Sequence, residues 1–243
     1  MNERLDTHPT KLKYSNPRMN RWKSWRGNTM FAPNFDVSIY TDNCEKDLAK
    51  NIVDLIKEND VGMSSDVANS LNTTYQMQWS MYNIFSWENK EIKTLAEKIY
   101  SMYFLYMQTL NATPLEKNKL WIRGWAVVLS ENESLGQHCH AFHENTYLSG
   151  NISLSDLDTT TDYWFPYLSL YFDYWRSQNT MGSMTLFPSW LEHKVDSNTT
   201  GTNRYSIGFD LFTEHSFNYI RENRNEGSEI QDVILLSKKF SDL

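Results

Sequence analysis

Four of the six histidines of this chain fall between positions 138 and 193. Three of them crowd into the stretch GQHCHAFHENTYLSGN: His138, His140 and His143. On an extended chain, residues i and i+2 point to the same face. His138 and His140 are therefore predicted to present two imidazoles side by side, with Cys139 turned away. His-x-His is a common way to offer a metal two ligands from one strand, and imidazole suits iron, zinc, copper or nickel. A third ligand must come from elsewhere, and His193 is the obvious candidate. A plainer reading stands beside this one, since isolated His-x-His pairs occur by chance and a strand histidine is usually packed or exposed. The joint occurrence of all three in one β-rich stretch favours the metal.

A cation follows. Arg204 opens RYSIGF, a segment that otherwise reads as a buried strand. Alternation puts Arg204, Ser206 and Gly208 on one face and Tyr205, Ile207 and Phe209 on the other. A buried guanidinium is costly unless something negative meets it. Its partner is either a buried Asp or Glu, or solvent at a sheet edge, or the carboxylate of a small ligand. A guanidinium fork beside a hydroxyl suits the last through parallel hydrogen bonds.

These residues need a scaffold, and the chain supplies helices first and strands second. EKDLAKNIVDLIKEND carries Leu48, Ile52, Leu55 and Ile56 at helical spacing. ENKEIKTLAEKIYSMYFLYMQTL repeats the pattern with Ile92, Leu95, Ile99, Met102, Tyr103 and Tyr106. Both stripes read as core-facing. The intervening DVANSLNTTYQMQWSMYNIFSW is ambiguous between loops and a strand. From Leu120 onward short aromatic and β-branched runs alternate with polar turns: LWIRGWAVVLS, YLSGNISLS, YLSLYFDYW, GSMTLFP and NRYSIGFDLF. Helices followed by a run of strands predict an α+β, mainly β fold, with N-terminal helices packed on a sandwich or barrel. The expected organisation is a basic arm over 1–28, which is surface-lying or partly disordered, and a single domain over 29–243. Within the latter, helical support spans about 44–112, the β core about 120–213 and a C-terminal extension 214–243, where VILLS is an added strand or helix. Trp22 and Trp25 in the arm are stacking groups if it meets an acidic partner or a phosphate backbone. The aromatic run DYWFPYLSLYFDYW is expected to be at least half core, the rest lining an entrance.

Composition narrows the classes. The formal charge of −7 argues against a protein that coats nucleic acid. Two cysteines, Cys44 and Cys139, make no disulfide framework, and no apolar run is long enough to span a bilayer. A soluble, cytoplasmic protein is the expectation. No G-x-S-x-G elbow, P-loop or dinucleotide fingerprint appears, so hydrolase and nucleotide-binding readings lack support.

In order along the chain, His138-Cys139-His140, Ser149-Gly150, Phe187-Pro188-Ser189-Trp190-Leu191-Glu192-His193-Lys194-Val195 and Arg204-Tyr205-Ser206 resemble the Fe(II)- and 2-oxoglutarate-dependent dioxygenases. The resemblance is closest to a small group of such oxygenases with His-x-His, FPSWLxHxV and Arg-x-Ser motifs. It covers roughly residues 120–213, about two-fifths of the chain. It implies a double-stranded β-helix, a jelly-roll or cupin-like barrel. By the same resemblance, His138 and His193 match the two histidine ligands of Fe(II). Arg204 matches the residue that holds the distal carboxylate of 2-oxoglutarate, with Ser206 as its hydroxyl partner. The implied activity is O₂-dependent decarboxylation of 2-oxoglutarate coupled to oxidation of a second substrate, which is a small molecule, a peptide or a nucleic acid.

The chain departs from the family pattern at three places. Most of the superfamily has Asp or Glu where His140 stands. The closest group has His there, which makes His138, His140 and His193 the metal set, with Glu144 or His143 as alternative third ligands. Ala141 replaces a proline, and His143 lies in a three-residue insertion. The Trp-x-Asn pattern becomes Trp125-Ala126-Val127, which removes a polar group. Two further readings stay open: a three-histidine cupin-like metalloprotein that does not use 2-oxoglutarate, and a catalytically silent barrel that serves as a binding module.

Overall fold

The longest helix shows how the chain begins to bury itself. In α2 (Lys90–Thr109), Ile92, Leu95, Ala96, Ile99, Met102, Tyr103 and Tyr106 are buried, while the charged residues turn outward. Asn89 caps it, its side chain accepting from the backbone N–H groups of Glu91 and Ile92. The shorter α1 (Lys46–Asn59) buries Leu48, Ala49, Ile52 and Ile56; Leu55 is only half-buried. The computed structural model describes residues 18–23, 36–59, 75–76, 83–140, 146–164, 174–222 and 234–237. No described helix is long and apolar enough to cross a membrane.

Both helices pack on one face of the larger of two antiparallel sheets, in one apolar cluster with Leu186, Ile207, Phe209 and Leu211. That sheet runs in the order β1 (Arg18–Lys23), β2 (Asp36–Asn43), β9 (Ser183–Pro188), β6 (Leu148–Ser153), β11 (Arg204–Thr213), β4 (Leu120–Leu129) and β12 (Ile234–Leu235). The two-residue β3 (Tyr75–Gln76) also pairs with β4. The smaller sheet has four strands in the order β5 (Leu135–His138), β10 (Glu192–Val195), β7 (Thr160–Trp164) and β8 (Tyr174–Gln178). A last helix, α3 (Glu214–Glu222), continues from β11. The architecture is α+β and mostly antiparallel sheet, with helices on the larger sheet.

Close approach of the layers uses missing side chains. A Cβ at Gly150 would lie 2.2 Å from the Phe209 ring, and one at Gly124 would lie 2.4 Å from Phe85. Glycine at these two places lets aromatic side chains lie flat on the sheet.

One segment differs from expectation. Part of the basic N-terminal segment, Arg18–Lys23, is a strand paired along its length with β2. The run YLSLYFDYW is described only from Tyr174, where β8 begins; Trp25 and the middle of the aromatic run lie outside the described residues. Of that run, Tyr163 and Trp175 are core, packed with Val37, Ile39, Phe187 and Leu191. The VILLS run supplies the short strand β12.

Candidate metal and anion site

The site lies where the two sheets face each other, and strand register assembles most of it. Across the smaller sheet, His193 stands opposite His138 on one side and Tyr163 on the other, and Tyr163 stands opposite Trp175. One row of four side chains therefore crosses four strands. Across the larger sheet, Arg123, Asp210, Ser149 and Phe187 form a second row, and Trp125, Gly208, Asn151, Thr185 and Thr41 form a third. Contacts between the sheets close the gap: the Tyr163 hydroxyl meets the side chains of Asn151 and Thr185, and Phe187 packs edge-on against His193.

His138, His140 and His193 come together as expected. Their rings lie 4.3 Å (138 to 193), 5.1 Å (140 to 193) and 5.4 Å (138 to 140) apart between centroids. One ring nitrogen from each falls within 4.8 Å of the others, forming the one such group of three among the described residues. The route differs from the strand argument in one respect. β5 ends at His138, so His140 is not on the strand. It is held instead by its backbone N–H, which donates to the Ser189 carbonyl, and by its side chain. The β5–β10 pairing is also irregular, shifting register between His193 and Val195. Such irregularities re-aim side chains next to functional sites.

Each of the three rings is fixed by its Nδ1. His138 Nδ1 lies 2.7 Å from the Gly136 carbonyl, His193 Nδ1 lies 3.2 Å from the Leu191 carbonyl, and His140 Nδ1 lies 2.7 Å from Asp210 Oδ1. All three partners are acceptors, so each Nδ1 carries the proton and donates it. In the neutral ring this leaves Nε2 with a bare lone pair, the form in which imidazole binds a metal. Burial, reinforced by the neighbouring imidazoles, pushes His193 well below the ordinary histidine range, and burial lowers His138 too. Three pre-oriented imidazoles are a donor set that fits a borderline transition-metal ion.

Asp210 is the residue that motif reasoning missed. Its Oδ1 accepts from His140 and Ser149, and its Oδ2 accepts from Arg123 Nε and Nη2 at 3.0 and 2.7 Å. Burial alone would raise this carboxyl, but His140 and Arg123 beside it hold it well below the usual carboxylate range. The signal was present in the strand. Asp210 continues the alternation Arg204, Ser206, Gly208, and Arg123 stands directly opposite it on β4.

Arg204 lies on the inner face of β11 and is 3% exposed. Among the described residues no carboxylate pairs with it, and its Nε is buried without a hydrogen-bond partner. Burial lowers its guanidinium to about 10. Of the readings left open for this cation, the edge and side-chain partners find no support among the described residues. Ser206, two positions on, is also buried; its hydroxyl lies 3.5 Å from the Val127 carbonyl, too long to hold it. Tyr163 links the two halves: its ring stacks on His193 at 5.7 Å, and its hydroxyl lies within the electrostatic reach of Arg204. The missing Trp-x-Asn polar group is visible as Val127, which faces Ser206 across the strand pair. Ala141, His143 and Glu144 lie outside the described residues.

A solved structure shares this architecture. A prolyl-4-hydroxylase from Pseudomonas putida superposes with a TM-score of 0.50 at 10% identity, covering 72% of this chain and 92% of its own. Two weaker likenesses are the non-haem monooxygenase ThoJ in its nickel complex and the non-haem α-ketoglutarate-dependent carbocyclase SnoK. ThoJ gives a TM-score of 0.46 at 11% identity, covering 70% of this chain and 71% of its own. SnoK gives 0.41 at 11% identity, covering 51% and 59%. No family model matches the sequence, and no curated protein matches it. The first likeness places the chain in the fold of that hydroxylase; at such identity it speaks to fold alone.

Proposed function

We propose that the protein is a non-haem Fe(II)- and 2-oxoglutarate-dependent oxygenase, built on a double-stranded β-helix whose open end carries the three histidines. The observation that carries this reading is a pairing. Three imidazoles whose Nδ1 atoms face acceptors are joined, through Tyr163 stacked on His193 and within electrostatic reach of Arg204, to a buried guanidinium whose Nε has no hydrogen-bond partner among the described residues. His138, His140 and His193 hold the iron, and Arg204 with Ser206 receives the far carboxylate of the cosubstrate. Bound iron supplies activation of O₂ with oxidative decarboxylation of 2-oxoglutarate, and the protein's part is to hold and orient.

The chain's own groups have definable tasks. Carbonyls of Gly136 and Leu191 and the carboxylate of Asp210 keep three histidine tautomers in the ligating form. Arg204 offers a fixed fork in a buried site, where a charge-assisted pair is strong. Ser206 has a hydroxyl able to turn to the same carboxylate. Tyr163 stiffens the floor between metal and cation through its hydrogen bonds to the larger sheet.

A second reading has one observation in its favour: the third ligand position is imidazole rather than carboxylate. A three-histidine metalloprotein that uses Arg204 to hold a substrate carboxylate fits that as well. One titration separates them. Purified protein is given Fe(II) without oxygen and then 2-oxoglutarate, and the weak visible charge-transfer band of the chelate is followed, with Arg204→Ala alongside. The oxygenase gives a band that is lost or weakened in the variant. Bound iron without a band selects the second reading, and failure to bind iron removes both.

A further inference from the structure

We infer that Asp210 is a positioning residue that makes His140 stand in electronically for a carboxylate ligand. The inference rests on the metal reading of the same three histidines. Three neutral imidazoles leave a divalent ion one positive charge richer than two imidazoles and a carboxylate. In this chain a carboxylate, that of Asp210, stands against the Nδ1 side of the ligand. The His140 Nδ1 proton is held 2.7 Å from Asp210 Oδ1, so electron density is pushed through the ring toward Nε2. His138 and His193 have only backbone carbonyls in that position. The three ligands are therefore unequal, and His140 is the strongest donor.

The surroundings of Asp210 grade this effect. Both oxygens are fully engaged: Oδ2 by the two nitrogens of Arg123, Oδ1 by His140 and the Ser149 hydroxyl. Asp210 and His140 are 2% and 5% exposed, so water does not screen their interaction. Arg123 withdraws charge from the far oxygen. Ser149 competes with His140 for the near one, at the same 2.7 Å. Removing Asp210's charge and removing Ser149's competition should thus act in opposite directions on a bound metal. A purely structural role for this network predicts no such opposition, because both changes would merely loosen the site.

The test uses the full chain with Asp210→Asn, which keeps shape and an acceptor oxygen but removes the charge, and Ser149→Ala. Zn(II) affinity is measured by chelator competition, and the midpoint potential of bound iron by mediated titration in the absence of 2-oxoglutarate. Asp210→Asn is expected to weaken Zn(II) by roughly 10- to 100-fold and to raise the iron potential, since the ferric ion loses more from a missing negative charge than the ferrous. Ser149→Ala is expected to keep zinc affinity and to lower the potential. Wild-type affinity and potential in Asp210→Asn would overturn the inference while leaving the metal site standing. An unmoved or raised potential in Ser149→Ala would overturn it as well, and decides the matter alone where Asp210→Asn does not fold. A wild type that binds neither metal would remove the site itself, and the inference with it.

Discussion

The two faces of the larger sheet are made from the same strands and could hardly differ more. On the helix side, β11 contributes Ile207, Phe209 and Leu211 to an apolar layer sealed by α1 and α2. On the other side the same strand contributes Arg204, Ser206, Gly208 and Asp210 to a polar interior. Period-two alternation lets adjacent residues serve opposite ends. Stability is concentrated in the helix-side layer, where burial of apolar area is uncompromised. The inner face carries costs of polar burial, above all at Arg204, whose Nε has no hydrogen-bond partner among the described residues.

Phe209→Ala should be the most damaging change to the helix side. It empties the space over Gly150 and should cost about 3–5 kcal/mol in the metal-free protein, read as a lower midpoint in urea. A loss under about 1 kcal/mol would mean that the helix layer is not the main store of stability, and the contrast between faces would collapse.

Next in size, Arg204→Met should stabilise the ligand-free protein by roughly 1–3 kcal/mol, because a buried cation with no carboxylate partner among the described residues is replaced by an apolar chain of similar length. The same variant should lose the thermal stabilisation that 2-oxoglutarate gives the iron-loaded wild type. Destabilisation instead would show that the guanidinium already has an anionic partner. Tyr163→Phe tests the joint between the sheets. It strips a hydroxyl from Asn151 and Thr185 and should cost about 1–2 kcal/mol, with histidine packing kept. Smallest of all, Lys46→Ala breaks only an exposed pair with Asp156 and should change stability by less than about 0.5 kcal/mol; a larger loss would mean surface pairs matter here as much as either face.

Helical stripes and strand alternation made most of the fold legible, since Leu48, Ile52, Ile99 and Tyr106 are buried where their spacing put them. The three histidines and Arg204 were visible for a similar reason: each is chemically unusual in its setting. Asp210 was not, because an aspartate after an apolar run reads as a strand end until the partner strand is known. Its meaning depends on Arg123, 87 positions away in sequence, and on His140, which no local pattern joins to it. Asn151 was hidden likewise, and Ser149 was legible only as part of a Ser-Gly motif, because the register alone reveals which neighbours they face.

The row His138, His193, Tyr163, Trp175 has a consequence for how the protein matures. A slip of β10 by one residue would turn His193 outward and bring Glu192 or Lys194 to the inner face. Such a chain would lose the three-histidine group. Alignment of β10 is thus the condition on which the whole three-histidine group depends, because one strand sets both the inward face of His193 and its place opposite His138.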